Sequence, residues 1–176
     1  MISETEFRTQ EILGIAKKMA IAARTAPKGW GRNTIETKIA FGKDLSVIAN
    51  KMEELGNKNG QKFFIRDAGN IRNSDAVLFI ATEINSLGLN DCGFCGFQNC
   101  EEKILHPDVP CSFNTIDLGI AIGSAVSIAA DSRADNRIMF SAGRAVKELN
   151  CFDERFKIII AISLSANSKN IYFDRQ

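Results

Sequence analysis

Four of the five cysteines fall within twenty residues: Cys92-Gly-Phe-Cys95-Gly-Phe-Gln-Asn-Cys100, then a ten-residue spacer ending in Pro110, then Cys111. The spacing is C-x2-C-x4-C-x10-C. A segment of this kind has to fold as a loop around something, because thiolates gathered this way select an iron–sulfur cluster or zinc over hard cations. Gly93 and Gly96 carry no Cβ, so the backbone can wrap tightly and aim N–H groups at sulfur. Phe94 and Phe97 can keep water from the site, which helps set a reduction potential.

Three readings of the segment compete. A [4Fe–4S] cluster suits the spacing and the glycines. A structural four-thiolate zinc site is the alternative, but zinc sites usually show two short C-x2-4-C knuckles and only the first pair here has that form. A disulfide framework is disfavoured, because the opening Met1-Ile-Ser-Glu-Thr-Glu lacks the order of a secretory signal and the chain is long enough to form a core without staples. Cys151, the fifth cysteine, reads as a buried thiol or a loop residue.

Composition bounds the rest. At 176 residues the chain suits one domain carrying an inserted cluster loop. Hydrophobic residues are 45% and charged residues 24%, ordinary for a globular protein with a substantial core. A net charge of +1 gives no nucleic-acid groove and no polybasic membrane patch. No wholly apolar run reaches the roughly eighteen residues that span a bilayer. The expected compartment is the cytoplasm, where thiols stay reduced.

Helix and strand patterns alternate along the chain. Residues 6–25 repeat apolar side chains at helical spacing, and Pro27, Gly29 and Gly31 end that helix. Asp44 is the expected cap of a helix over 45–55 stopped by Gly56, with a short helix near 63–70. Asp75–Thr82 and Phe156–Leu164 are continuous apolar runs of strand length, hence buried strands. Residues 137–140 read as a short strand, 142–149 as a helix and 171–173 as an edge strand. Asn114 is the expected cap of a helix to Ala129 that is apolar or small on every side, so central or packed on a second subunit. Gly119, Gly123 and Ser124 would let another backbone approach it. Cys111 lies just before that helix, whose positive end would stabilise an anionic cluster.

The pattern Cys-Gly-x-Cys-Gly-x-x-x-Cys with a later Pro-Cys resembles the small four-iron ferredoxin-type domain of electron-transfer proteins and corrinoid enzymes. In that family all four cysteines bind the cluster, which implies Cys92, Cys95, Cys100 and Cys111 here. The last spacer is shorter than the family's. The chain as a whole resembles an uncharacterised prokaryotic ferredoxin-domain family with a nitroreductase-like fold. Leu118-Gly-Ile-Ala-Ile-Gly-Ser-Ala and Asp135-Asn-Arg-Ile-Met-Phe-Ser-Ala-Gly143 carry that resemblance. It implies one α+β domain over 1–176, a mixed central sheet flanked by helices, an inserted segment at 91–112, and a homodimer.

It also implies FMN. In nitroreductases an arginine and a hydroxyl residue ending the first helix, with a basic residue near the C-terminus, hold the flavin phosphate. The matching positions are Arg24, Thr25 and Arg175, with Lys28 and Arg32 adding positive charge. The plainer reading is that such residues complement a helix C-terminus and face water. Ser163-Leu-Ser-Ala-Asn stands where nitroreductases have a glycine-containing segment. His106, the single histidine, reads as a solvated loop residue, and Trp30 as a lid, a stacking residue or an interface anchor. No nucleophile elbow, P-loop or His-Glu-x-x-His is present, so a hydrolase has no support. Two functions remain. One is an oxidoreductase passing electrons between a cluster and a flavin or small acceptor, with a redox partner protein possible in principle. The other is a flavin-less electron carrier or metal-binding protein.

Overall fold

The computed structural model describes residues 1–173; Arg175 lies outside the described residues. The elements are α1 (Glu4–Thr25), β1 (Ile35–Phe41), α2 (Lys43–Asn59), α3 (Lys62–Arg72), β2 (Ala76–Glu83), α4 (Cys100–Ile104), α5 (Ser112–Asp131), β3 (Asp135–Met139), α6 (Phe140–Glu148) and β4 (Phe156–Ser165). The strands form one sheet in the order β1-β2-β4-β3.

Helices cover both faces of the sheet, and the strand sequences show why. Side chains alternate across a strand. On β2, Val77, Phe79 and Ala81 join the core beneath α2, α3 and α6, while Ala76, Leu78 and Ile80 join the core beneath α1 and α5. Both faces are apolar, so β2 reads as a continuous run and is buried from Ala76 to Thr82. Ile159 and Ala161 of β4 face the first core; Ile162 and Leu164 face the second.

Every described strand pairing is antiparallel, which corrects the expectation of a mixed sheet. The connection from β1 to β2 contains two helices, so the chain reverses an odd number of times and returns antiparallel. β1 itself was not expected. Its signal was the β-branched run Ile35-Glu-Thr-Lys-Ile, and its pairing with β2 along the whole of Ile35–Phe41 settles it. The expected edge strand at 171–173 is a turn. There Tyr172 buries its ring and hydrogen-bonds Ser74 at 3.0 Å, while Arg137 donates to its carbonyl at 2.8 Å.

Helix ends also moved. Gly42, at φ 58°, precedes α2, and Asp44 sits in the first turn instead of capping it. α2 runs past Gly56 to the left-handed Gly60. Cys111, not Asn114, occupies the position before α5, and Asn114 is buried one turn inside. By length and composition α5 could cross a membrane, contrary to expectation. It packs against α1 and β2 instead, and buries Asp117, whose carboxylate accepts the Gly29 N–H at 3.1 Å. Only one side of α5 is covered: Leu118, Ala121, Ala125 and Ala129 are buried, whereas Ile116 is 45% and Ile120 41% exposed. A Cβ at Gly119 or Gly123 would meet open space, so among the described residues no other backbone approaches there.

Candidate metal centre and flavin site

The cysteine segment fills the connection between β2 and α5. Gly93 (φ 65°) and Gly96 (φ 85°) adopt left-handed conformations, and the Gly96 N–H closes a turn on the Gly93 carbonyl at 2.9 Å. Asn99 then caps α4 by accepting the Glu102 N–H at 2.9 Å, while the Glu102 carboxylate accepts the Gln98 N–H at 2.7 Å. Phe94 stacks on Phe113 at 5.8 Å, and Phe97 on His106 at 4.9 Å. Phe94 therefore lies outside, exposed, and ties the loop to the start of α5. His106 is exposed, as expected.

All four cysteines are free thiols. Cys111 is buried; Cys92, Cys95 and Cys100 are half-buried. Cys95 lies at the N-terminus of α5, where the Ser112 N–H donates to its sulfur at 3.5 Å. Burial pushes the Cys95 thiol up, but hydrogen bonds from Ser112 and Cys111 and the charge of Lys103 outweigh it, leaving its pKa below the ordinary value. Cys95 and Cys111 are thus brought together at a positive helix end. Among the described residues, no three histidine, cysteine, aspartate or glutamate side chains converge as a metal site. In donor type the segment fits a thiolate-held centre, but Cys92 and Cys100 are not gathered into one group with Cys95 and Cys111.

Of the expected flavin-phosphate residues, Arg24, Thr25 and Lys28 are engaged within the chain, and Arg175 lies outside the described residues. Arg24 donates to the Asn33 side chain and, at 2.7 Å, to the Ile35 carbonyl, tying α1 to β1. The Thr25 hydroxyl donates back to the carbonyl of Ile21 at 3.2 Å. The Lys28 ammonium collects the carbonyls of Ala23, Arg24 and Ala26 at 3.1, 2.9 and 2.7 Å. Partial burial, then repulsion from Arg24, lower the Lys28 pKa, partly offset by Asp117. Arg24 also lines an open cavity of about 210 Å³ with Asn33, Glu36, Glu83 and Arg155. Arg32 stacks over the exposed Trp30 at 5.0 Å and donates to the Leu87 carbonyl at 2.8 Å. Trp30 adopts a left-handed φ of 53°, costly for an aromatic residue. Cys151 is exposed in the loop after α6, remote in sequence from the other four.

Residues 107–175 match a family model described as uncharacterised protein containing a ferredoxin domain (DUF2148). That match takes in Cys111 and leaves Cys92, Cys95 and Cys100 outside it. An uncharacterised protein from Archaeoglobus fulgidus is 40% identical over 185 residues, covering 99% of this chain and 97% of that one. The chain belongs to this ferredoxin-domain family. Its fold is nitroreductase-like. A nitroreductase family protein from Clostridium novyi superposes with a TM-score of 0.59 at 15% identity, over 90% of this chain and 77% of that one. A nitroreductase-type protein from Desulfovibrio desulfuricans in complex with FMN gives 0.58 at 10% identity, over 93% and 78%. A BluB-like flavoprotein from Clostridium difficile gives 0.56 at 16% identity, over 93% and 84%. At these identities the likeness is one of fold.

Proposed function

We propose that this member of the ferredoxin-domain family is an iron–sulfur redox protein whose Cys92, Cys95, Cys100 and Cys111 hold a [4Fe–4S] cluster. It passes electrons between that cluster and a flavin or small acceptor. The observation that carries the reading is Cys95 beside Cys111 at the N-terminus of α5, with its thiol pKa lowered. A lowered pKa favours the thiolate that metal binding requires. When bound, the cluster supplies one-electron chemistry. The chain's own part is to hold the sulfurs, donate hydrogen bonds to them from the first turn of α5, and place positive charge nearby. The Phe94–Phe113 pair braces the loop. Reduced thiols of this kind suit the cytoplasm.

FMN is the second half of the reading. Its support is the nitroreductase-like fold and the basic end of α1, where Arg24 borders an open cavity. One observation favours the flavin-less carrier instead: Arg24, Thr25 and Lys28 each donate to the chain's own groups. A UV–visible spectrum of anaerobically purified protein tests both halves. The expected result is a brown protein with a broad band at about 400 nm that dithionite bleaches. Colourless protein holding one tightly bound zinc would replace the cluster by the zinc alternative. FMN titration by fluorescence quenching decides the flavin, and no saturable binding at tens of micromolar FMN leaves the electron carrier.

A further inference from the structure

Between α2, α6 and the sheet lies an open cavity of about 220 Å³ whose lining holds no residue of the cysteine segment. Its floor is Ala40 of β1, Ile48 of α2, Phe79 of β2 and Val146 of α6. All four belong to the core beneath α2, α3 and α6, on the opposite side of the sheet from α5. Phe152 closes one side. It is held there because the Cys151 N–H bonds back to the Val146 carbonyl at 3.0 Å and turns the chain after α6 onto the cavity. The polar groups gather at the mouth. Lys38 donates to the Cys151 carbonyl at 2.8 Å, pairs with Glu36 at 3.3 Å and lies 4.9 Å from the centre of the Phe152 ring. Asp44 stands in the first turn of α2, where the helix end favours its charge. Val47, 55% exposed, and the exposed Cys151 complete the rim.

We propose that this cavity is a binding site for a small, uncharged, monocyclic aromatic compound, separate from the cysteine segment and from the open side of α5. It stands whether or not the cysteines hold a cluster. The floor side chains are hydrocarbon, and water is held inside a protein only where polar partners surround it. An apolar ligand therefore gains by displacing solvent there. Ala40 and Val146 are small where larger side chains would fill the space, and an unfilled apolar void costs stability. Volume sets the size of the ligand. An apolar cavity of about 150 Å³ takes benzene, so about 220 Å³ takes that ring with about two or three further heavy atoms. Phe79 and Phe152 offer rings for an aromatic ligand to pack on. The mouth selects against charge. The Lys38 ammonium already has Glu36 and a carbonyl, and Asp44 has the helix end, so an ionised ligand would lose hydration without meeting an unused counter-charge.

The test titrates the purified full chain with ethylbenzene and takes two readings. Isothermal titration calorimetry follows binding, and peptide mass spectrometry follows the rate at which N-ethylmaleimide alkylates Cys151 at the mouth. Wild type is expected to bind at a single saturable site and to lose most of its Cys151 alkylation rate as the site fills. Benzoate and benzylamine carry the same ring with a negative or a positive charge, and each is expected to bind about tenfold more weakly or worse. Val47→Trp sets a large ring at the mouth from an exposed position. It is expected to keep the wild-type circular dichroism and to weaken ethylbenzene about tenfold. The proposal is overturned by wild type that shows no saturable binding, by a folded Val47→Trp protein that binds like wild type, or by a charged compound that binds as tightly as ethylbenzene. Should Val47→Trp fail to fold, the Cys151 reading on wild type decides: protection upholds the site, and an unchanged rate at saturating ethylbenzene overturns it.

Discussion

Cys95 concentrates what single residues do here. Its sulfur accepts from the first free N–H of α5, so on the cluster reading replacing it removes a proposed ligand that the helix end favours as thiolate. Cys95→Ser is expected to reduce iron per chain to background after reconstitution while leaving circular dichroism unchanged. Undiminished iron would show that Cys95 is not a ligand. Tyr172 carries the pH dependence. Burial pushes its hydroxyl up to about 12, the Ser74 and Ser163 hydrogen bonds offset part of this, and Asp75 and Asp135 add to it. An unfolded tyrosine ionises near pH 10, so the contribution is complete below about 10 and is lost as pH rises from about 10 to about 12. That loss amounts to about 2–3 kcal/mol. Tyr172→Phe is expected to lack it, so urea unfolding at pH 9 and pH 11.5 should differ less for the variant than for wild type. The four candidate cysteines were legible in one dimension because their type and spacing are the signal. The burial of Lys103 was not, because a lysine after two glutamates reads as solvated surface until the fold is known.

Among the elements, the contact of α6 with β4 is the tightest at any glycine. A Cβ on Gly143 would stand 1.9 Å from the Ile159 carbonyl oxygen, so any larger residue forces the helix off the sheet. Gly143→Ala is expected to cost about 3 kcal/mol or more in urea unfolding. The same substitution at Gly69, inside α3 with no atom near its missing Cβ, should gain about 0.5–1 kcal/mol from helix propensity. Equal effects at the two sites would show that the close approach is not what constrains position 143. The helices of 6–25 and 114–129 and the two apolar strands were legible because their periodicity reports one or two buried faces. β1 was less so: its inward and outward residues differ little in polarity, and only the pairing with β2 distinguishes it.

For the whole molecule, the open side of α5 is an unpartnered apolar surface among the described residues. Ile116, Gly119, Ile120 and Gly123 share it, apolar or without side chains. We propose that a second copy covers it, since symmetric pairing is the commonest way to bury such a helix. Light scattering at micromolar concentration should give twice 19.3 kDa. Ile120→Glu, which puts a charge in that face, should return the mass toward the monomer; a wild-type monomer would end the dimer reading.

Residue order by itself determined the local features: which segments are helical, which two strands are buried on both faces, and which four side chains suit a soft metal. These depend on periodicity and on donor chemistry, both of which act over a few residues. Long-range packing decided the rest. The antiparallel order β1-β2-β4-β3 follows from where the helices turn the chain. The start of α5 at Cys111, and so the helix end presented to Cys95, depends on how the loop docks. The burial of the Asn114 side-chain nitrogen without a partner is decided by what surrounds it, since the energy of an amide is set by the medium it is folded into.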